Sequence, residues 1–356
     1  YPDIKLVYWA GGNPFHHQMN LKKLSKAFKQ PDTIIVNEIW WNSLARHSDI
    51  ILPATTSLER NDISIKHWDQ TISPMHKVIE PIGESKSDYE IFSEIASKLN
   101  FKDKFTEGKD EDKWLRHIWD EARSKAKDEG FSLPDFDKFW KNGFQEVLSP
   151  KKQTILLEDF RKDPQKNPIS TPSGKIEIFS ETVDSFNYQD CPGHPTWLEQ
   201  KEWLGSNLTK QYPLQLISGQ PHNRLHSQLD NGSESQNYKI LGREPIKIHL
   251  QDAQSRGLIN GDIVEVYNKR GKCLAGVIIS NEVMKGVVFL PVGAWYDPIN
   301  DGDFCIHGNP NVLTEDIGTS SLAQGPSAHS TLVEIKKYTK EPPEINVLHK
   351  PNIVNN

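Results

Sequence analysis

The stretch IKLVYWAGGNP at residues 4–14 starts as a run of aliphatic and aromatic residues and ends in a glycine turn. Such a run predicts a β-strand that stops at the glycines. Four apolar residues then recur at helical spacing, namely Leu21, Leu24, Ala27 and Phe28. Residues 33–36 and 50–52 are two further apolar runs. Strand, glycine turn, helix and strand in this order predict an α/β domain with a nucleotide-binding parallel sheet.

Polar residues at the ends of the first two strands form a candidate nucleotide site. Gly12 and Asn13 follow the first strand, and Asn37 and Glu38 follow the second. A glycine lets the backbone approach a phosphate closely, and a carboxylate at a strand end can accept from a ribose hydroxyl or a purine amine. The G-G-N-P turn lacks the third glycine of the G-x-G-x-x-G fingerprint, which disfavours an NAD-type dehydrogenase. A tight turn with no ligand is the alternative at this point.

Composition limits the class of protein. The 356 residues are 36% apolar and 25% charged, which is ordinary for a globular chain. The net charge is 42 − 48 = −6, so nucleic acid is not an expected partner. No apolar run reaches the roughly 18 residues of a membrane span. The three cysteines are widely spaced and form no C-x-x-C pair, which gives no indication of an iron–sulfur or zinc site.

The pattern changes twice along the chain. Ser87 and Glu90 have the spacing of a capping box, and a later amphipathic stripe around Trp114 and Trp119 is most simply core. From about residue 211, short strands alternate with turns, which predicts a closed β-barrel. We therefore expect an α/β domain with helical additions at 1–210, a barrel domain at 211–336 and a tail at 337–356.

Two histidine pairs raise the question of a metal site. His222 and His226 have the i,i+4 spacing of zinc ligands, but they follow Gly-Gln-Pro, which indicates a loop. His16 and His17 have no carboxylate or cysteine at ligand spacing. We expect a surface loop pair at 16–17 and no zinc site at either place.

Five blocks follow one another along the chain: YWAGGNPFHH at 8–17, DIILPATTSLER at 49–60, TPSGKIEIFSE at 171–181, GQPHNRLHSQ at 219–228 and NPNVLTEDIGTSS at 309–321. In order and wording they resemble the molybdopterin oxidoreductases of the dimethyl sulfoxide reductase family. The resemblance runs from residue 1 to about residue 336. Within the family it points to the branch of trimethylamine N-oxide and biotin sulfoxide reductases.

The resemblance implies an enzyme that holds molybdenum between two molybdopterin guanine dinucleotides and removes an oxygen atom from an S- or N-oxide in a two-electron step. In this branch a serine oxygen binds the metal. That serine lies in the family's earlier half, which this sequence does not contain. The sequence is therefore expected to be the C-terminal part of an oxidoreductase, with the N-terminal half of the same polypeptide as its partner. It would hold no catalytic residue and no metal ligand, and would be inactive alone.

The resemblance also implies a fold and a set of cofactor contacts. The fold is an α/β domain followed by a six-stranded closed barrel of the double-psi type. Gly12 and Asn13 would donate to pterin or phosphate, while Asn37 and Glu38 would face a guanine. A barrel loop would supply further donors to pterin and phosphate, with Arg224 most suited to charge: Gln220, His222, Arg224, His226, Ser227 and Gln228. Asn311 and Gln324 would add two carboxamides.

The implied partners are a small S- or N-oxide and a cytochrome or other electron donor, in anaerobic respiration. The periplasm is the expected compartment and the cytoplasm the alternative. A non-enzymatic module that binds a guanine dinucleotide without the metal half is the alternative function. The reading frame upstream of Tyr1 separates the two hypotheses, because a long extension with a metal-loop serine favours the enzyme and a start codon beside Tyr1 favours the module.

Overall fold

The computed structural model describes residues 2–66, 69–147, 155–300 and 302–352. The chain divides into two compact units. The first unit comprises Tyr1–Val36, Trp41–Ile50 and Ile178–Asn356, and the second comprises Asn37–Trp40 and Ile51–Glu177. The predicted divisions at 210/211 and 336/337 stay predictions of domain organisation.

The N-terminal strands form the predicted parallel sheet. Its strands are β1 (Leu6–Ala10), β2 (Thr33–Glu38) and β3 (Ile50–Pro53), in that spatial order. Helices α1 (Pro14–His17) and α2 (Leu21–Ala27) connect β1 to β2. Helix α2 lies where the helical spacing predicts it, whereas α1 occupies residues that the sequence predicts as a turn and a surface loop. A short 3₁₀ turn at Ala45–His47 precedes β3.

The second unit adds an antiparallel sheet and a set of helices. Its sheet is β4 (Asp62–Ile65), β5 (Thr71–Met75) and β6 (Gln145–Glu146), none of which the sequence patterns predicted. Its helices are α3 (Asp88–Lys98), α4 (Lys102–Thr106), α5 (Glu111–Asp128), α6 (Phe136–Asn142) and α7 (Glu158–Lys162). The predicted capping box begins α3, because Ser87 accepts from the Glu90 amide while Glu90 accepts from the Ser87 amide.

Aromatic packing forms the core of the second unit. The rings of Trp119 and Phe139 stack with centroids 3.7 Å apart, and both side chains are buried. The Trp119 indole donates to the carbonyl of Pro134 at 3.0 Å, which ties α5 to the chain that enters α6. The predicted core stripe on α5 is correct for Trp119, whereas its neighbour Ile118 is exposed.

A closed six-stranded barrel forms the C-terminal part, as predicted. Its strands are β7 (Leu214–Ile217), β8 (Pro245–Ile248), β9 (Ile263–Tyr267), β10 (Lys272–Ile279), β11 (Val287–Phe289) and β14 (Leu332–Lys337). The ring runs β10-β8-β11-β7-β14-β9 and closes through the β9–β10 pair. Two pairs are parallel, β7 with β11 and β8 with β10, and the others are antiparallel. Closure removes the exposed strand edges of an open sheet.

Buried side chains alternate with less buried ones along the strands, and the buried ones fill the interior of the barrel. In β7, Leu214 and Leu216 are buried, whereas Gln215 and Ile217 are only half-buried. Two short strands, β12 (Pro298–Ile299) and β13 (Phe304–Cys305), extend the sheet from β10. The connections contain helices α8 (Glu181–Asp184), α9 (Ser233–Tyr238) and α10 (Leu250–Gln254), and 3₁₀ turns at Asn207–Lys210 and Pro310–Val312. Across the described residues, we find no helix with the length and apolar character that a membrane crossing requires.

Candidate functional site

The turn after β1 presents Asn13 at the start of helix α1. Gly11 and Gly12 adopt left-handed φ angles of 86° and 81°, which glycine reaches without strain. Asn13 then caps α1, since its side-chain oxygen accepts from the Phe15 amide at 3.1 Å. Its side-chain nitrogen donates to the Ser227 hydroxyl at 3.3 Å. Two predicted site residues 214 positions apart in sequence therefore meet.

Three histidines meet at the same place. The Nε2 atom of His16 lies 3.2 Å from Nδ1 of His226, and the ring of His17 lies 4.7 Å from that of His16 and 5.6 Å from that of His226. The predicted surface pair at 16–17 is wrong for His16, which is only 5% exposed, because the chain from the barrel covers it. His17 is exposed, as expected.

The surroundings of His16 keep its imidazole neutral. Burial, together with the nearby rings of His17 and His226 and the charge of Arg224, lowers its pKa from 6.5 to about 3. Its Nδ1 atom is buried and has no hydrogen-bond partner among the described residues. Buried ring nitrogens normally have a partner, so this atom is available to a polar ligand group.

Two asparagines of the 3₁₀ turn near residue 310 hold helix α1 in place. The Asn309 carboxamide donates to the carbonyls of Phe15 and Ala294, both at 2.9 Å. The Asn311 carboxamide donates to the carbonyl of His16 at 2.7 Å. No sequence motif marks Asn309 as a functional residue. The sequence predicts a cofactor contact for Asn311, and the structure gives this side chain a positioning role, so the cofactor contact stays a prediction.

Arg224 belongs to a buried network of charges. Its guanidinium lies 3.1 Å from Glu244 and 3.5 Å from Asp230, and Lys239 lies 2.9 Å from Asp230 and 2.7 Å from Glu244. Two cations and two anions balance, and all four side chains are almost completely buried. Although burial acts to raise the pKa of Asp230, the charges of Lys239 and Arg224 contribute to keeping it below its ordinary value. The predicted contact between Arg224 and a phosphate stays a prediction, and the network anchors the loop that carries His226.

Gly293 sets the path of that loop. His226 has a left-handed φ of 54°, and its carbonyl oxygen lies 2.0 Å from the position that a Cβ on Gly293 would occupy. Any side chain at 293 would therefore displace the His226 backbone. The indole of Trp295 donates to the Ser227 carbonyl at 2.8 Å and holds the next residue. No sequence motif singled out Gly293.

The other predicted contacts are more open or lie in the second unit. Gln220, His222 and Gln228 are exposed, and the exposed Gln324 donates to the Ser320 carbonyl at 3.1 Å. In the second unit, Asn37 donates to Asp88 at 2.7 Å, and the Glu38 carboxylate accepts from the amide of Ile39 at 2.9 Å. Within the described ranges, no group of three or more His, Cys, Asp or Glu side chains is arranged to hold a metal ion.

Comparison with known protein families matches both parts of the chain. Residues 2–98 match the description "Molybdopterin oxidoreductase", and residues 214–332 match "Molydopterin dinucleotide binding domain". The chain belongs to the molybdopterin oxidoreductase family. All twelve predicted cofactor contacts of this family member lie inside the two matched ranges.

Several molybdopterin oxidoreductases resemble the chain along most of its length. It is 46% identical to the trimethylamine-N-oxide reductase of Haemophilus influenzae over 99% of the chain and 44% of that protein. It is 43% identical to the biotin sulfoxide reductase of Cereibacter sphaeroides over 95% of the chain and 45% of that protein. The solved structure of acetylene hydratase from Pelobacter acetylenicus shares the fold, with a TM-score of 0.72 at 19% identity over 94% of the chain and 44% of that protein. The chain thus spans less than half of the length of each of these three proteins.

The residues that meet near His16 fit a molybdopterin dinucleotide. A pterin edge offers donors and acceptors, and the neutral His16 imidazole presents a buried nitrogen without a partner among the described residues. A pyrophosphate needs donors and close backbone approach, and the left-handed Gly12 turn and the exposed Gln220, His222 and Gln228 are groups of that kind. This donor set suits the cofactor that the family implies.

Proposed function

We propose that the chain is the C-terminal, cofactor-binding part of a molybdenum oxidoreductase that reduces a small S- or N-oxide. The observation that carries the proposal is the meeting of Asn13, His16, His226 and Ser227 within two family-matched ranges. The similarity to trimethylamine-N-oxide and biotin sulfoxide reductases supports this substrate class. Two electrons and two protons enter, the oxygen atom leaves as water, and the amine or sulfide is released.

The cofactor we propose is the bis(molybdopterin guanine dinucleotide) form. When bound, it supplies a molybdenum centre that exchanges two electrons. This chain's residues would bind and orient it: Asn13, His16 and Ser227 at polar edges, the exposed residues of the 219–228 loop at phosphate, and Asn37 and Glu38 at a guanine. A carboxylate such as Glu38 matches the two N–H donors on one edge of guanine.

The remaining partners follow from that function. We propose that the N-terminal half of the same polypeptide supplies the metal ligand, and that a cytochrome or similar carrier supplies electrons in anaerobic respiration. The periplasm is the proposed compartment. The proposed domain organisation remains 1–210, 211–336 and a tail at 337–356.

Oxidation of reduced viologen tests the function. The longer polypeptide, purified from a host that makes the molybdenum cofactor, should oxidise the dye when trimethylamine N-oxide or a sulfoxide is added. The 356-residue chain alone serves as the control and should be inactive. Bound guanine dinucleotide without molybdenum, together with no dye oxidation, would instead support the non-enzymatic module.

A further inference from the structure

Residues 178–204 of the first unit expose many large apolar side chains. Ile178 is 81% exposed and Trp197 is 74% exposed. Six more are exposed in the same range: Phe179, Phe186, Tyr188, Leu198, Trp203 and Leu204. Within this fully described range the only helix is α8, and there is no strand. Single exposed apolar residues need no explanation, but eight in 27 residues indicate a surface that contacts something.

The backbone of this segment is fixed to the barrel near its end. The Glu202 carboxylate is buried and accepts from Arg270 at 2.6 and 2.8 Å and from the Leu332 amide at 3.0 Å. Bidentate contacts of this kind fix both distance and orientation. The burial of Glu202 raises its pKa, but these donors outweigh that effect and hold its pKa below the ordinary value.

A second anchor lies in the middle of the segment. The Asp190 carboxylate accepts from the amide and the hydroxyl of Ser321 at 2.9 and 3.1 Å. The Ser180 amide donates to the Gly193 carbonyl at 2.6 Å and closes a loop inside the segment. These hydrogen bonds fix the backbone of the segment. The exposed apolar side chains therefore have their positions before any partner binds.

We propose that the surface made by residues 178–204 docks the part of the longer polypeptide that lies outside this chain. The chain spans 44% of the Haemophilus influenzae relative, so more than half of such a protein is available to cover it. Apart from the buried Glu202, the segment exposes four acidic residues and one basic residue, a net charge of 1 − 4 = −3. The docked region should accordingly present apolar side chains surrounded by lysines and arginines. This proposal depends on the proposed function in one respect only, namely that the chain is part of a longer polypeptide.

Photo-crosslinking in the longer polypeptide tests the surface. The variant Trp197→p-benzoylphenylalanine places the crosslinker in the segment. The matched control is Ile259→p-benzoylphenylalanine, at a residue of the barrel that is 64% exposed and lies outside the segment. After irradiation, mass spectrometry should identify peptides from outside the 356 residues joined to position 197 and not to position 259. Crosslinks only to a second copy of residues 1–356, or none at position 197, would overturn the proposal.

A stability comparison provides a second readout. Because the Trp197 side chain is exposed in this chain, Trp197→Ser should leave the melting temperature of the 356-residue chain unchanged and lower that of the longer polypeptide by several degrees. Equal melting temperatures for the longer polypeptide and its variant would contradict the proposal. Molybdenum content measured on the same samples separates the two ideas, since crosslinking without molybdenum refutes the proposed function and leaves the docking surface standing.

Discussion

The Nε2 atom of His16 and the Nδ1 atom of His226 lie 3.2 Å apart, although 210 residues separate them in sequence. One residue belongs to the first helix after β1 and the other to the loop after the first barrel strand. The contact joins the two sequence blocks that carry most of the predicted cofactor contacts. Asn13 and Ser227 make the neighbouring hydrogen bond, so the contact is one of a pair.

The loop at His226 should depend on the absence of a side chain at residue 293. Gly293→Ala would place a methyl group 2.0 Å from the His226 carbonyl oxygen, so the loop must move. We expect a loss of about 3 kcal/mol or more in the free energy of unfolding, measured by urea denaturation. Gly257→Ala is the matched control, because Gly257 also has a left-handed φ, of 63°, but no atom of the described residues lies within 4 Å of its Cβ position. It should lose only about 1–2 kcal/mol. Equal losses would refute the close approach.

Removal of a single charge from the buried network around Arg224 should lower the free energy of unfolding. Glu244→Gln leaves two cations and one anion in the cluster, and breaking a buried pair typically costs about 3–5 kcal/mol. The control Glu282→Gln removes an exposed partner of Lys247 and should cost less than about 1 kcal/mol. Urea denaturation of both variants makes the comparison. A loss for Glu244→Gln no larger than that of the control would show that the network does not hold the loop.

Stability should fall in mild acid because of buried neutral histidines. Burial, together with the charge of Lys239, lowers the pKa of His307 from an ordinary value of 6.5 to about 3. Between these two values the unfolded chain binds a proton at this residue and the folded chain does not, so the free energy of unfolding decreases as pH falls from 6.5 towards 3. At pH 5 the expected loss is about 2 kcal/mol for this residue.

The variant His307→Gln isolates that contribution. The difference in unfolding free energy between about pH 7.5 and pH 5 should shrink by about 2 kcal/mol relative to the unmodified chain. His194→Gln, at an exposed position, should leave the difference unchanged. An unchanged difference in His307→Gln would mean that this imidazole titrates normally in the fold.

Glu38 should matter for keeping the cofactor more than for the reaction. In the longer polypeptide, Glu38→Ala removes a charge-assisted contact with a guanine and should weaken binding by about 1.5–3 kcal/mol. Molybdenum per protein should fall while turnover per bound molybdenum stays close to that of the unmodified enzyme. The control Glu80→Ala removes an exposed carboxylate paired with Lys77 in the same unit and should change neither quantity. Normal loading with collapsed turnover would contradict the assignment.

Local patterns predicted the elements well, and their failures have physical causes. The strand, turn and helix at residues 4–36 and the short strands after residue 211 each show a pattern that repeats within a few residues. Strands β1 and β2, helix α2 and the barrel could therefore be predicted from the sequence. The burial of His16 depends on chain that is some 210 residues away, which no local pattern contains. The local pattern alone therefore predicts a surface residue.

The residues that hold other parts of the site in place could not be predicted from the sequence, for a related reason. Asn309 reaches Phe15 across 294 positions, and the partners of Arg224 were not marked by any motif. Every residue has a backbone carbonyl, so a side chain that donates to one places no requirement on which residue its partner is. The donors of the 219–228 loop can be predicted because they are concentrated in ten residues, whereas the burial of the Arg224 side chain among charges and the exposure of Gln220 depend on the fold.

Molybdenum and guanine nucleotide content, measured on one sample of the longer polypeptide, tests the central claim most directly. Protein from a host that makes the cofactor should contain molybdenum and release guanine nucleotide on acid hydrolysis, in a ratio of two guanines to each metal ion. The variant Ser227→Ala, which loses the hydroxyl beside Asn13, should contain less of both in the same ratio. Protein that folds normally and contains neither molybdenum nor guanine nucleotide would contradict the account.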